Sequence, residues 1–471
     1  MDTIWSPSIE FREGPKYKAL AEAIREAIQN GALKVAQKLP PVRDLAWDLK
    51  ITPGTVARAY SLLTDEGTLE AAVGRGTFVA EQLSRPVEAE DAPIEIDALP
   101  HGSGDRPDVV NLFSPGLPNV GQAQLIKRCM SEVAKEPRSG VMHYPNRETF
   151  SPARKAILHW LRGTPLGAID QEDIVLSHGG QNGICLALQT ILRGSKPVVL
   201  VEELSYPGFR RAAALLRADV ISVPMDADGM IPEAIAALAQ RHNVQAICTS
   251  PEVHNPTGLF TPLERREEIV AVARAHDIQI IEDDCYRMGS SRAPSYRLLA
   301  PERGWYVSSI SKTLTPALRI GFVIAPKPLV SGLRRSAEYG FFGLATPLAD
   351  LTERLLLDPL TEKLSDKVCD VFGQYVQTCV NHLGRYELSW RSDVPFIWLR
   401  LPEGWRASAF CQAAEAQKVQ IRPAEEFSSR DARAPHAVRI AINAQIAHDH
   451  FEAAIMRIAD LLDNPPERIG V

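Results

Sequence analysis

The stretch "WYVSSISKTLTPALRIGFVIAP", residues 305–326, holds two apolar, strand-like runs with little chain between them. Parallel neighbours need a crossover of a dozen or more residues, so the spacing predicts that one of these strands is reversed relative to the rest of its sheet. Lys312 sits between the runs, with Ser309 and Ser311 just before it and Arg319 further on. A lysine at a strand end, flanked by hydroxyls and an arginine, suits a Schiff base with an aldehyde whose phosphate those groups hold. Taken alone, Lys312 reads as a solvated surface lysine. Its meaning depends on partners elsewhere in the chain.

Upstream, from about residue 110, apolar runs alternate with helical stretches: "DIVLSHG", "PVVLVEE", "AICTSP" and "IQIIEDD", each followed or preceded by an amphipathic segment. Such alternation predicts a mostly parallel sheet covered on both faces. Downstream, residues 346–471 return to helices with three strand-like runs, "FIWLRLP", "VQIRPA" and "AVRIAIN", a smaller α+β lobe beside a large lobe of about 125–345. Ligands of open parallel sheets lie at the carboxyl ends of the strands. Polar residues at those ends are Gly180 and Gln181 in "SHGGQNG", Tyr206 in "EELSYPGF", Asn255 in "SPEVHNPTG", and Asp283 and Tyr286 in "IIEDDCYRM". Free N–H groups at the glycine pair suit a phosphate. An acid at the end of an apolar strand needs a positive partner, and a protonated pyridine nitrogen would be one.

The 471 residues leave room for about three domains. No apolar run is long enough for a membrane span, and "MDTIWSPSIEFREG" has no signal-peptide pattern, so a cytoplasmic location is expected. Seven scattered cysteines without a CxxC pair argue against disulfides and against a metal site. The formal net charge of −6 is local: residues 1–80 and 110–471 each balance, and the whole excess falls in 81–109, a Pro- and Gly-rich acidic linker.

The first eighty residues read differently. Leu20, Ile24 and Ile28 mark one helix, Val42, Leu45 and Leu49 a second, and Val56, Ala59, Tyr60 and Leu63 the buried stripe of a third. Thr52 is a natural N-cap for that third helix, with Pro53 at its first position and Gly67 at its stop. "TLEAAVGRGTFVA" predicts two short strands around Gly74-Arg75-Gly76. Three helices and a hairpin in this order predict a winged helix-turn-helix whose third helix enters the major groove of DNA. Arg43, Thr52, Gly54, Thr55, Arg58 and Arg75 are then the candidate contacts to phosphates or base edges.

Residues 15–80 resemble a GntR-type winged helix in "LP-x-x-R-x-L-A" (39–46), "T-x-x-T-V-x-R-A-Y" (52–60) and "G-R-G-T-F-V" (74–79). Pro53 departs from that family's usual polar or basic residue. Residues 110–460 resemble the fold-type I aminotransferases that use pyridoxal 5′-phosphate, in "N-P-T-G", "D-D-x-Y", "S-x-S-K" and "R-I-G-F". That resemblance implies Lys312 as the Schiff-base lysine, Asp283 on the pyridine nitrogen, Asn255 and Tyr286 on the ring's phenolic oxygen, and Tyr206 stacked on the ring. It implies Gly180, Gln181, Ser309, Ser311 and Arg319 at the phosphate, and Arg439, in "AVRIAIN", on a substrate carboxylate. "YPNRETF" resembles the segment whose tyrosine, here Tyr144, reaches the partner subunit's phosphate; Thr149 stands where that segment usually has glycine. A structural ion pair is the other reading of Arg439.

Together the parts resemble the MocR-type subfamily of GntR regulators: a winged helix over 12–80 (mainly α with a β-wing), a linker over 81–109, and an α/β aminotransferase-like domain with a small α+β lobe over 110–471. The resemblance implies a head-to-tail homodimer, pyridoxal 5′-phosphate as cofactor, double-stranded operator DNA as partner, and an amine, an amino acid or the cofactor itself as effector. A working aminotransferase with an appended DNA module is the alternative, since Asn255, Lys312, Asp283, Tyr286 and Arg439 are all in place. A third reading makes the large domain a dimerisation scaffold only.

Overall fold

The computed structural model describes residues 15–72, 76–80, 109–138, 140, 142–429 and 432–465. The chain divides into two compact units between residues 98 and 99. Gly74, Arg75 and residues 81–108 of the acidic linker lie outside the described residues.

In the N-terminal unit the helices are Lys16–Gln29, Val42–Asp48 and Pro53–Asp65, followed by the antiparallel strands Leu69–Ala72 and Gly76–Val79, with Leu69 opposite Val79. The helical periodicities meet in one core of Leu20, Ile24, Leu45, Val56, Ala59 and Leu63. Thr52 caps the third helix, its hydroxyl accepting from the Thr55 N–H at 3.3 Å. Pro53 loses nothing at the first helical position, where its missing N–H would have no helical partner. Tyr60 donates to the Pro40 carbonyl at 2.8 Å, which fixes the third helix against the turn before the second.

The second unit is built on a seven-stranded sheet in the order Ile174–Ser177, Gly321–Ile324, Gly304–Ser309, Gln279–Asp283, Val244–Thr249, Val198–Glu202, Asp219–Val223. The pairs from Gly304–Ser309 onward are parallel, and Gly321–Ile324 runs antiparallel to both its neighbours. The reversal expected at 305–326 is therefore observed, and its cause is the short link through Lys312. Apolar side chains fill both faces, with Ile184, Leu188 and Phe209 in one layer and Ile235, Ile269 and Tyr296 in another. Polar residues of five strands end at one edge: Ser177, Glu202, Thr249, Asp283 and Ser309.

The small lobe carries the antiparallel sheet Leu388–Ser389, Phe396–Arg400, Ala437–Ala441, Arg422–Pro423. "VQIRPA" splits between two sheets, because Val419–Gln420 pairs in parallel with Val110–Asn111 instead. The first residues after the linker thus belong to the small lobe's core, where Val110, Leu112 and Leu117 pack with Ile440 and Ile442. The helix Thr346–Leu357, expected to open the small lobe, packs Leu351, Leu355 and Leu356 into the large-lobe core with Ile157 and Phe322. Its apolar face packs against the helix Ser151–Trp160.

Candidate functional site

The strand ends bring most of the candidate residues of the second unit together. Asp283 closes its strand, is 7% exposed, and accepts from the Cys285 N–H at 3.1 Å. Burial pushes its carboxyl up to about 6, against the pull of the Lys312 ammonium. The Lys312 amine lies 5.0 Å from the centre of the Tyr286 ring. Tyr286 in turn meets Phe396 edge-on at 5.3 Å. Arg439 stacks over that Phe396 ring at 5.4 Å and over Phe427 at 4.8 Å. Its Nη1 donates to Asn255 Oδ1 at 2.7 Å and its Nη2 to the Phe113 carbonyl. The partners of Arg439 are thus neutral oxygens. Burial lowers its guanidinium to about 10, with the neighbouring Arg422 adding to the effect.

The phosphate candidates form a second cluster. The helix Gly179–Ile191 begins at the glycine pair, so both glycines lie in its first turn. Gly179 has φ +78°, and a Cβ there would stand 2.6 Å from Arg319 Nη2. Arg319 is itself left-handed at φ 51°, a costly conformation for a side-chain-bearing residue, and it aims the guanidinium at the start of that helix. A Cβ on Gly180 would stand 2.3 Å from Cys285 Sγ, which keeps the helix start close to the Asp283–Tyr286 turn. Ser309 and Ser311 are both buried, and the Ser311 hydroxyl has no partner. Gln181 spends its side-chain N–H on the Gly208 carbonyl at 2.9 Å, fixing the turn that follows Tyr206. Tyr206 packs edge-on against Phe209 at 5.7 Å, and burial holds its hydroxyl firmly protonated, with Tyr286 and Asp283 among its neighbours.

Tyr144 stands apart from these clusters, 83% exposed with its ring 5.6 Å from Phe342. Thr149, in place of a glycine, closes the same loop through its side chain: its N–H donates to Asn146 Oδ1 at 3.0 Å and its hydroxyl accepts from the Asn146 N–H at 3.1 Å. No left-handed residue is needed there.

Three participants escaped the reading of the sequence. Glu202 is a buried strand-end carboxyl pushed up to about 7 by burial, with Oε2 unpartnered. Its signal, an acid ending an apolar run, is the one that identified Asp283. Arg422 and the Phe113 carbonyl join Arg439 through a backbone atom, which leaves no trace in side-chain identity.

On the N-terminal unit, Arg43, Thr52, Gly54 and Arg58 are exposed and Thr55 is half-exposed. Thr52 and Thr55 share a hydrogen bond between hydroxyls at 2.9 Å, and Arg58 stacks 4.3 Å over Tyr17. Arg75 lies outside the described residues. A further side chain on this surface is Trp47, 85% exposed on the second helix.

Comparison with known proteins gives both units a context. Residues 107–458 match the family "Aminotransferase class I and II", and residues 16–79 match "Bacterial regulatory proteins, gntR family". The uncharacterized HTH-type transcriptional regulator YdeF of Bacillus subtilis is 27% identical over 467 residues, 98% of this chain and 97% of its own. The HTH-type pyridoxine biosynthesis transcriptional regulator PdxR of Corynebacterium glutamicum is 30% identical over 319 residues, 66% of each chain. Among solved structures, an archaeal alanine:glyoxylate aminotransferase matches with a TM-score of 0.68 at 23% identity, covering 75% of this chain and 91% of its own, a likeness of fold. The fold and sites define a helix-turn-helix module joined to an aminotransferase-like unit. The chain belongs to the aminotransferase class I and II family, and with its gntR-family module it is a member of the MocR-type subfamily. The aminotransferase family is dependent on pyridoxal 5′-phosphate. Among the described residues no helix is long and apolar enough to cross a membrane.

Proposed function

We propose that the protein is a pyridoxal 5′-phosphate-dependent, DNA-binding transcriptional regulator that senses an amine or amino acid, or the cofactor itself, in the cytoplasm. The gntR-family module carries the regulator part of this reading, and the observation that carries the cofactor part is Asn255. Its Oδ1 is taken by Arg439, while its buried Nδ2 has no partner, so one side chain joins a carboxylate grip to a donor whose acceptor this chain does not supply. An orphaned buried donor costs ~1–3 kcal/mol, so such a group is retained where something else accepts from it.

The cofactor fits the donor set. Bound there, it supplies an aldehyde that links reversibly to amines and a ring that draws electrons from the linked carbon. Lys312 would be the point of attachment, and its Nζ, when unattached, would be a base able to move a proton. Asp283, buried and raised, would hold a proton on the ring nitrogen. Asn255 Nδ2 and the Tyr286 hydroxyl would bind the phenolic oxygen, and Tyr206 would cover the ring face. Gly180, Gln181, Ser309, Ser311 and Arg319 would hold the phosphate at the start of the helix Gly179–Ile191, where backbone N–H groups and the helix dipole favour an anion. Arg439 would grip an effector carboxylate. Tyr144, exposed in its own chain, would reach the phosphate of a second copy in a head-to-tail homodimer. Arg43, Thr52, Gly54, Thr55, Arg58 and Arg75 would contact operator DNA. An effector alters DNA binding only as far as it binds two arrangements of the protein unequally.

The second reading, a working aminotransferase with a DNA module, is favoured by the same Asn255–Arg439 pairing, which completes an enzyme's site. An absorption titration of the cofactor-loaded protein with a panel of amino compounds, with and without a 2-oxo acid, decides between them. A stable spectral change without turnover supports the sensor. Conversion of the cofactor to its amine form, reversed by the oxo acid, supports the enzyme.

A further inference from the structure

Arg439 shares its setting with a second arginine. Arg422 lies directly opposite it on the neighbouring strand, and both donate to one atom, the Phe113 carbonyl, Arg422 through Nε at 3.0 Å. Arg422 also stacks 5.0 Å over the Phe113 ring and pairs with the Glu426 carboxylate. The segment carrying Phe113 is stitched on both sides. Leu112 donates to the Gln420 carbonyl at 2.8 Å and accepts from the Ala441 N–H at 3.0 Å, and Gly116 donates to the Ile442 carbonyl at 3.1 Å. The Phe113 carbonyl is therefore a fixed competitor for Arg439, already occupying Nη2 while Nε is buried without a partner.

An effector carboxylate must share or take those donors. A charge-assisted guanidinium–carboxylate pair is stronger than a guanidinium–carbonyl bond, so the exchange favours the carboxylate if the carbonyl is not stranded by it. A half-buried carbonyl deprived of its donor would oppose the exchange. We propose that Arg422 is a positioning residue for the carboxylate site: its Nε keeps the Phe113 carbonyl satisfied when Arg439 turns its donors to an amine effector that bears a carboxylate. Arg422, engaged by Phe113 and Glu426, does not itself take the carboxylate. The inference rests on the reading of Arg439 as the carboxylate grip. Loss of Arg422 leaves the surrounding segment held, since Arg210 donates independently to the carbonyls of Phe427 and Glu426 at 2.9 and 2.8 Å.

The test uses the full chain loaded with pyridoxal 5′-phosphate and titrated by absorption with matched probes, L-alanine against ethylamine and 4-aminobutanoate against propylamine. Arg422→Met should keep the parent's spectrum and its affinity for the two plain amines, while weakening the carboxylate-bearing probes by about tenfold, the scale of one lost hydrogen bond to a charged group. Arg422→Lys, which keeps the charge but lacks Nε, should not restore them. Equal weakening of both probes of a pair would make Arg422 merely structural, and unchanged affinities or full rescue by lysine would overturn its assigned role. Arg439→Ala is the separate control. If it leaves the preference for carboxylate intact, the reading of Arg439 falls, and this inference with it.

Discussion

In the N-terminal unit the described candidate contacts are exposed or half-exposed, and three of them already have partners: Thr52 and Thr55 each other, Arg58 the ring of Tyr17. In the aminotransferase-like unit Asn255, Asp283, Ser309, Ser311 and Arg439 are buried, and several of their polar atoms, on Asn255, Ser311 and Arg439, have no partner. The two kinds of site therefore inform differently. Water satisfies an exposed donor, so an exposed side chain says nothing about what else it binds. A buried donor without an acceptor carries a free-energy cost, and that cost points to a ligand. The case for cofactor binding rests on the second kind of observation; the case for DNA binding rests on the order of elements and the family match.

The sharpest way to break this contrast is Lys312→Ala. The buried cluster should survive, because Lys312 is only half-buried and touches the Tyr286 ring face without holding the sheet. The visible absorption gained on adding pyridoxal 5′-phosphate should vanish altogether, while the thermal midpoint changes little. In the parent, borohydride reduction followed by peptide mass analysis should find the pyridoxyl mass on Lys312. Retention of the parent spectrum in the variant would remove the cofactor assignment and leave the orphaned donors unexplained.

Much of this was legible from residues 305–326 outward. The reversed strand followed from chain length between two apolar runs, and the strand-end residues followed from where such sheets bind ligands. What stayed hidden was held by backbone. The Phe113 carbonyl beneath Arg439 and the approach of Gly179 to Arg319 depend on main-chain positions that residue identity does not encode. Glu202 was within reach, since "VVLVEE" ends in acid as "IQIIEDD" does, but it lacked a motif to single it out. The packing partner of the helix Thr346–Leu357 stayed hidden for another reason: its apolar stripe is one that either lobe could bury, and only packing chooses.

Asp283→Asn sharpens the contrast through pH. Burial raises this carboxyl from an ordinary value of 3.8 to about 6, so in the cofactor-free protein its stabilising, protonated form is fully present only below 3.8 and is lost as pH rises through about 6. The amide never ionises. Without cofactor the variant should thus gain roughly 2 kcal/mol over the parent at pH 8, shrinking toward nothing near pH 4, by thermal or guanidinium unfolding. Adding cofactor should reverse the order at pH 8, since the parent alone can pair its carboxylate with a protonated ring nitrogen. A gain of the same size at both pH values would mean that packing, and not charge, is responsible.

Smaller effects belong to the exposed unit. Arg58→Ala should weaken operator binding by about tenfold and flatten its salt dependence by about one counterion, if the side chain meets a phosphate. Cofactor loading should stay normal. Binding undiminished in gel shifts at two salt concentrations would return Arg58 to its stacking role on Tyr17.

Thr52 asks which of two duties an exposed residue performs. Its hydroxyl caps the third helix, so Thr52→Ala should cost about 1 kcal/mol in the stability of the N-terminal unit whatever its part in DNA binding. Serine keeps the cap and removes only a methyl group. If Thr52→Ser matches the parent in both stability and operator affinity, the hydroxyl accounts for both properties, and a deficit in the alanine variant can then be divided by comparing its unfolding with its binding. A serine variant that folds as the parent does yet binds operator less tightly would instead mean that the methyl group meets a base, as threonine methyls can. The exposed unit would then carry a specificity that nothing in its own packing reveals.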